Sequence, residues 1–188
     1  LKLKIRIIIV GNKSFIQNNF YKLFKKKFNI HKLKFSKINN FKFNQKDIII
    51  NCSHDKRFFS QEYKKENDRN LKIAKIISGK HSQFIMLSSR NVYKPKLAIK
   101  ENSQILPIDL YGKNCLKSEN NCKKIIKKLT ILRLSNVVGI ETMKKKRPSL
   151  MSILIKGIKR KNIKFDNSYE WYKDLIPIKL LCLYLEKN

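Results

Sequence analysis

The sequence predicts an α/β protein built on a doubly wound parallel sheet. Two observations carry that expectation. Short, almost uninterrupted apolar runs recur along the chain, at Lys4–Val10, Asp47–Asn51, Gln83–Ser88 and Thr130–Leu134. Such runs mark strands buried on both faces. Between them lie amphipathic stretches long enough for helices, near 14–27, 61–79 and 110–128. Strands alternating with helices of this length form right-handed βαβ units and so a parallel sheet.

Taken in order, Lys4–Val10 is β-branched and stops at Gly11, and the helix near 14–27 follows. A short second strand is expected at Lys32–Ser36, and the third apolar run is Asp47–Asn51. The long helix near 61–79 leads into Gln83–Ser88, and the helix near 110–128 into Thr130–Leu134. The tail reads as a Lys144–Pro148 loop, a helix over Ser149–Lys159, short strands at Ile163–Phe165 and Lys173–Ile176, and a final helix from Pro177. Trp171 is expected to be a packing residue.

Composition excludes several classes. The 188 residues are 42% hydrophobic and 10% aromatic, enough for a packed core and too much for a disordered chain. No apolar run approaches the roughly 18 residues of a membrane span. The basic, apolar opening is too short for a signal sequence and lacks a small-residue cleavage site. Cys52, Cys115, Cys122 and Cys182 have neither zinc nor disulfide-framework spacing. They read as buried thiols of a cytoplasmic protein without a metal site.

The formal charge is +31, with 44 Lys and Arg against 13 Asp and Glu. A basic surface can bind nucleic acid by releasing counterions. Lys outnumbers Arg by 37 to 7, however, and 27 Ile and 19 Asn stand against 2 Ala. That skew follows A/T-rich codons, and specific phosphate recognition favours the Arg fork. The charge is therefore read as a composition bias on solvated faces, with no specific nucleic-acid partner.

In a doubly wound sheet the ligand lies at the carboxyl ends of the strands, near the switch in strand order. The first such turn is Val10-Gly11-Asn12-Lys13-Ser14-Phe15-Ile16-Gln17. There a dinucleotide pyrophosphate would meet backbone N–H groups and a helix N-terminus. Of the three glycines of a full phosphate loop only Gly11 is present. Ser14 is small and able to bond a phosphate, whereas Gln17 is expected to crowd the helix–strand contact.

Four further segments fall in register. They are Ser88-Ser89-Arg90-Asn91-Val92-Tyr93, Tyr111-Gly112-Lys113-Asn114-Cys115 with Glu119, Leu132-Arg133-Leu134-Ser135-Asn136-Val137-Val138-Gly139, and Lys173-Asp174-Leu175-Ile176-Pro177-Ile178. Their order and spacing resemble the extended short-chain dehydrogenase/reductase superfamily, in its NAD(P)-dependent sugar epimerase/dehydratase group. That group's patterns are SSxxVYG, YGxSKxxxE, LRxxNVxG and RDFIHV. The short stretch between Gly11 and Asn51 is similar to the dTDP-4-dehydrorhamnose reductase branch, with Asp47–Cys52 at the family's fourth strand and Asn67 before the long helix.

The resemblance implies a Rossmann-like NAD(P)-binding domain over 1–140 and a truncated substrate-binding lobe over 141–188. Tyr111 would be the acid/base at a sugar oxygen and Ser89 would hydrogen-bond the same oxygen. Gly11, Ser14, Phe15, Ile16, Cys52, Ser53, Asn67 and Ser88 would line the cofactor, NAD or NADP. Asn136 would contact a nucleotide-sugar substrate. Ser36-Lys37 lacks the acid that would hold an NAD ribose. The resemblance is also compatible with a homodimer.

One departure falls on the chemistry. A free phenol has a pKa of about 10, so only about one in a thousand is ionised at pH 7. The family places a lysine one helical turn after its tyrosine to correct this. Here that position is Cys115. Lys113 would stand about 200° around the helix and cannot replace it. Three readings stay open: an enzyme with a Tyr111 base whose rate climbs with pH, a catalytically inactive binding protein of the same fold, and a basic nucleic-acid binder.

Overall fold

The computed structural model describes residues 5–11, 14–139, 150–161 and 174–187. Cα packing divides the chain into two units, Leu1–Leu134 and Ser135–Asn188.

The first unit is a five-stranded parallel sheet flanked by helices. Along the chain run β1 (Arg6–Val10), α1 (Phe15–Phe24), β2 (Asn29–Leu33), β3 (Ile48–Asn51), α2 (Arg69–Ile77), β4 (Gln83–Ser89), α3 (Leu110–Lys123) and β5 (Leu129–Leu134). In space the order is β2-β1-β3-β4-β5, and every pairing is parallel. The chain leaves β1 toward β2, then crosses back to β3 on the other side. The switch in order therefore lies between β1 and β3, where a ligand crevice is expected.

Period-two alternation explains the layers. Ile8 and Val10 of β1, Ile49 of β3, and Phe84 and Met86 of β4 join one core cluster. The same cluster takes Ile73, Ala74 and Ile77 from α2 and Cys122 from α3. Ile7 and Ile9 point to the opposite face and are also buried. Phe20 and Phe24 of α1 are buried as well. The edge strand β2 is largely exposed, and its Lys32 ammonium sits over the Tyr21 ring at 4.3 Å. A charged edge of this kind resists pairing with another sheet.

Two boundaries differ from expectation. The second strand is Asn29–Leu33, three residues early, and Phe35–Lys37 is a 3₁₀ turn. The run ending at Asn51 is the third strand along the chain, as expected, and pairs with β1 on the side away from β2. The connection before it builds no strand, because Ile38 and Phe43 turn inward onto the core. The helix expected from 61 begins only at Arg69, since Asp68 caps it by accepting from Leu71 N at 3.0 Å.

The second unit contains β6 (Asn136–Val138), α4 (Leu150–Lys159), β7 (Leu175–Pro177) and α5 (Ile178–Lys187). Strands β6 and β7 pair in parallel, Asn136 opposite Leu175. The helix and final strand–helix were legible in the sequence; β6 was not. The expected loop at Lys144–Pro148, the strand at Ile163–Phe165 and Trp171 lie outside the described residues. No described helix is long and apolar enough to cross a membrane. Among the described residues no group of His, Cys, Asp and Glu could hold a metal ion.

At the amino ends of the strands, Arg6 grips Asp47 with two bonds, 2.8 Å from Nε and 2.6 Å from a terminal nitrogen. Asn44 N adds a third at 2.7 Å to the same buried carboxylate. Charge-assisted bonds of this type contribute about 1.5–3 kcal/mol each. Asp47→Ala is expected to lower the unfolding free energy by about 2–3 kcal/mol. A shift in urea midpoint at constant m-value checks it; an unchanged midpoint would remove this clasp from the account.

Candidate functional site

The carboxyl ends of β1, β3 and β4 bring the expected residues onto one edge of the sheet. Gly11 follows β1 directly, and its N–H donates to Leu33 O at 2.8 Å, extending the ladder. Cys52 N bonds Val10 O at 2.8 Å, so Cys52 and Ser53 leave β3 beside the first turn. Ser53 is anchored by both its N–H (3.0 Å) and its hydroxyl (2.7 Å) on Asn51 Oδ1.

The phosphate-loop departures have local explanations. Ser14 is the N-cap of α1, its Oγ accepting from Gln17 N at 3.2 Å. Phe15 and Ile16 open the helix behind it. Gln17 does not wedge helix and strand apart. Its carboxamide folds inward, donates to Ile9 O at 3.0 Å and is 3% exposed. A Cβ on Gly11 would come within 3.1 Å of that carboxamide, so the glycine and the glutamine fit as a pair.

A second group of residues sits where α3 meets β4. The Asp109 carboxylate caps α3 by accepting from Gly112 N at 2.6 Å, and it also takes the Asn91 amide at 2.7 Å. Gly112 lies so close to the turn after β4 that a Cβ would stand 2.2 Å from Asn91 O. Only glycine permits this approach, which sets Tyr111 and Cys115 beside the end of β4. Ser89 caps that turn, accepting from Asn91 N at 3.2 Å. Ser88 turns the other way and donates to Glu119 Oε1 at 2.5 Å.

Glu119 is fully buried and is held by Arg133 of β5, at 2.7 Å to one oxygen and 3.1 Å to the other. That bond raises the Arg133 guanidinium further above its ordinary value, and the Tyr93 ring faces it at 4.7 Å. The motif match placed Glu119 on the helix after Tyr111 but did not pair it with Arg133 of β5. The usable signal was an acid on the stripe Cys115, Ser118, Glu119, Cys122, which is the buried face of α3.

Among the described residues no lysine adds to the electrostatics of Tyr111. Cys115 is within hydrogen-bonding reach of both Tyr111 and Ser88, and burial pushes its thiol up to about 12. The Tyr111 phenol is driven well above its ordinary value, first by burial, then by Cys115 and Asp109. Each of these influences opposes ionisation of the phenol, whereas the family's lysine would favour it. Phe59 stacks on its ring at 4.4 Å and 16°, and His54 meets it edge-on at 6.3 Å. Asn114 holds the Phe59 loop, donating to Phe58 O at 3.0 Å and Gln61 O at 2.8 Å. Neither His54 nor Phe59 was singled out in the sequence.

Asn67 is buried in the turn before α2. Behind it runs a polar chain that the sequence did not reveal. Tyr63 donates to Asp68 at 2.7 Å, Ser118 to Asp68 at 2.9 Å, and Asn51 to Asn70 at 2.7 Å. It ties β3, α2 and α3 together beneath the site. Asn136 lies in the second unit, where its amide donates to Asp174 O at 3.1 Å.

No protein-family model matches the chain, and no curated protein does. Solved structures do. The dTDP-4-dehydrorhamnose reductase of Bacillus anthracis, in complex with NADP, superposes with a TM-score of 0.78 at 15% identity. The match covers 100% of this chain and 71% of that one. The chain shares its fold. The UDP-N-acetylglucosamine 4-epimerase of Methanobrevibacter ruminantium gives 0.73 at 17% identity, over 97% of this chain and 72% of that one. The UDP-glucuronic acid 4-epimerase of Bacillus cereus, with NAD, gives 0.69 at 17%, over 95% and 71%. The Rossmann-like architecture expected from the motifs is thus the observed one.

Removing one partner of a buried ion pair strands the other charge. Glu119→Ala is expected to cost about 3–5 kcal/mol, while Glu119→Leu with Arg133→Met recovers most of it. Chemical denaturation of both variants checks this; equal loss in the two would show that packing volume, not charge, is at stake.

Proposed function

We propose that the protein binds NAD or NADP and acts on the sugar of a nucleotide sugar, as a reductase, epimerase or dehydratase. The observation that carries the reading is the convergence of Gly11, the α1 N-terminus, Cys52, Ser53, Ser88, Ser89 and Tyr111 at the strand ends beside the switch in sheet order. Structures of the same fold solved with NADP or NAD support it. So does the UDP-N-acetylglucosamine 4-epimerase solved with UDP-N-acetylmuramic acid.

The residues present fit a dinucleotide. Gly11 brings backbone close without a side chain, and Gln17 is turned inward rather than across the turn. The ten-residue α1 presents its N-terminus, whose partial positive charge suits a pyrophosphate. Phe15, Ile16, Cys52 and Ser53 complete that side, with Asn67 and Ser88 at its far end. When bound, the nicotinamide group supplies hydride exchange at carbon.

Tyr111 supplies the proton. Its O–H donates to a carbonyl oxygen as the carbon is reduced, which a protonated phenol can do and a phenolate cannot. Ser89 supplies the second hydrogen bond to that oxygen. Cys115 orients the phenol but carries no charge, so regaining the proton is the slow part of a cycle. This arrangement favours reduction over reactions that begin by removing a proton. Asn136 would contact the substrate, the second unit forming the partial substrate lobe. The four cysteines are buried and free, in keeping with a reducing, cytoplasmic setting.

A second reading has its own support. With Cys115 where the family has lysine, the same site can hold its ligands without turnover. The two are separated by assay. NADPH or NADH should bind to both wild type and Tyr111→Phe, whereas hydride transfer to a 4-keto nucleotide sugar should fall by about 10²-fold or more in the variant. Cys115→Lys, by lowering the Tyr111 phenol, should raise the rate and shift its alkaline limb to lower pH. Cofactor binding with no turnover in either wild type or Cys115→Lys would leave the binding-only reading; no binding at all would remove both.

A further inference from the structure

Tyr111 has no cation among its described neighbours. Its electrostatic partners are Cys115 and Asp109, and both make ionisation harder. Its ring contacts are Phe59 and His54. One of these four groups can become positive near neutral pH, and it is His54. We infer that His54 is the positioning residue that charges this site: on protonation it supplies beside Tyr111 the positive charge that Cys115 cannot. The inference deepens the proposed function and rests on it.

Placement carries the argument. His54 follows Ser53 at the carboxyl end of β3, on the crevice side of the switch in strand order. Its ring packs against Phe58 at 6.2 Å and presents an edge-on contact to Tyr111 at 6.3 Å. A ring N–H bonds the backbone carbonyl of Leu87, the residue before Ser88. That bond fixes which nitrogen keeps its proton and leaves the other to titrate. The ring thus spans from β3 to β4 at the place where Ser88, Cys115 and Tyr111 meet.

The charged groups facing His54 come from two sides. From the start of α2, Asp68 favours its protonation and Arg69 opposes it. From α3, Tyr111 is neutral. Nothing charged faces it from β4, where Leu87 offers only its carbonyl. Burial is the larger influence and lowers His54 below its ordinary value. The His54 imidazole is therefore neutral at pH 7. An anionic ligand brought to the strand ends shifts the balance, because opposite charges about 6 Å apart in a partly buried site stabilise each other. Proton uptake then accompanies binding. By linkage, affinity rises as the pH falls through the titration of His54.

The test uses the whole chain and NADPH, with NADH in parallel. Affinity is followed by nucleotide fluorescence from pH 5 to 8, in wild type and in His54→Gln. Gln can still donate to Leu87 O but cannot be charged. Wild type should bind roughly three- to tenfold tighter at pH 5.5 than at pH 7.5, beyond any change seen in His54→Gln. The imidazole signal of His54, followed by NMR in unmodified protein, should titrate at higher pH when NADPH is present. This second readout does not depend on how the variant folds. Binding with identical pH profiles in both proteins, or a His54 titration that NADPH leaves in place, overturns the inference while the proposed function stands. Absence of dinucleotide binding at every pH overturns both.

Discussion

The buried pair of Glu119 and Arg133 is the interaction on which the candidate site depends. Glu119 is completely enclosed, and it accepts from Arg133 and from Ser88 at once. A carboxylate in an apolar layer is tolerable only with such partners. Satisfying it fixes three elements together: α3 through Glu119, β4 through Ser88 and β5 through Arg133. Gly112 fixes the other end of the same helix against Asn91. Cys115 lies between these two attachments and Tyr111 directly precedes the first, so both are placed by them. The energetic cost of a buried charge has become a means of placing a phenol.

The same helix also carries the polar chain through Ser118 to Asp68 and on to Tyr63. Asp68 is itself fully buried and caps α2. Buried polar groups that are all satisfied tend to rigidify what they join. The site therefore rests on a floor of hydrogen bonds, while its upper side is aromatic: Phe58, Phe59, His54 and Tyr111. That contrast explains the chemistry. An aromatic surround removes water from the phenol and opposes its ionisation, and among the described residues no lysine reverses the effect.

Much of the fold was legible because it depends on features one sequence displays. β1, β3 and β4 are continuous apolar runs, and strands buried on both faces must read that way. The register of Ser88-Ser89, Tyr111 and Leu132–Gly139 predicted an architecture that the structure then showed at 15–17% identity to its neighbours. What escaped was set by tertiary contacts. The start of α2 is decided by the Asp68 cap, which competes with a helical pattern beginning at 61. The inward fold of Gln17 depends on Ile9 O, eight residues away. His54 and Phe59 reach Tyr111 across more than fifty positions of chain, and no spacing rule connects them.

We propose the strand ends beside Gly11 and His54 as a dinucleotide site. Backbone NMR shifts on adding NADPH, at an ionic strength that screens the surface lysines, test it most directly. The account predicts shifts concentrated at Gly11, Ser14–Ile16, Cys52–His54 and Ser88–Ser89. Shifts confined to Lys25–Lys27 and the lysines of α3, and lost as salt is raised, would contradict it.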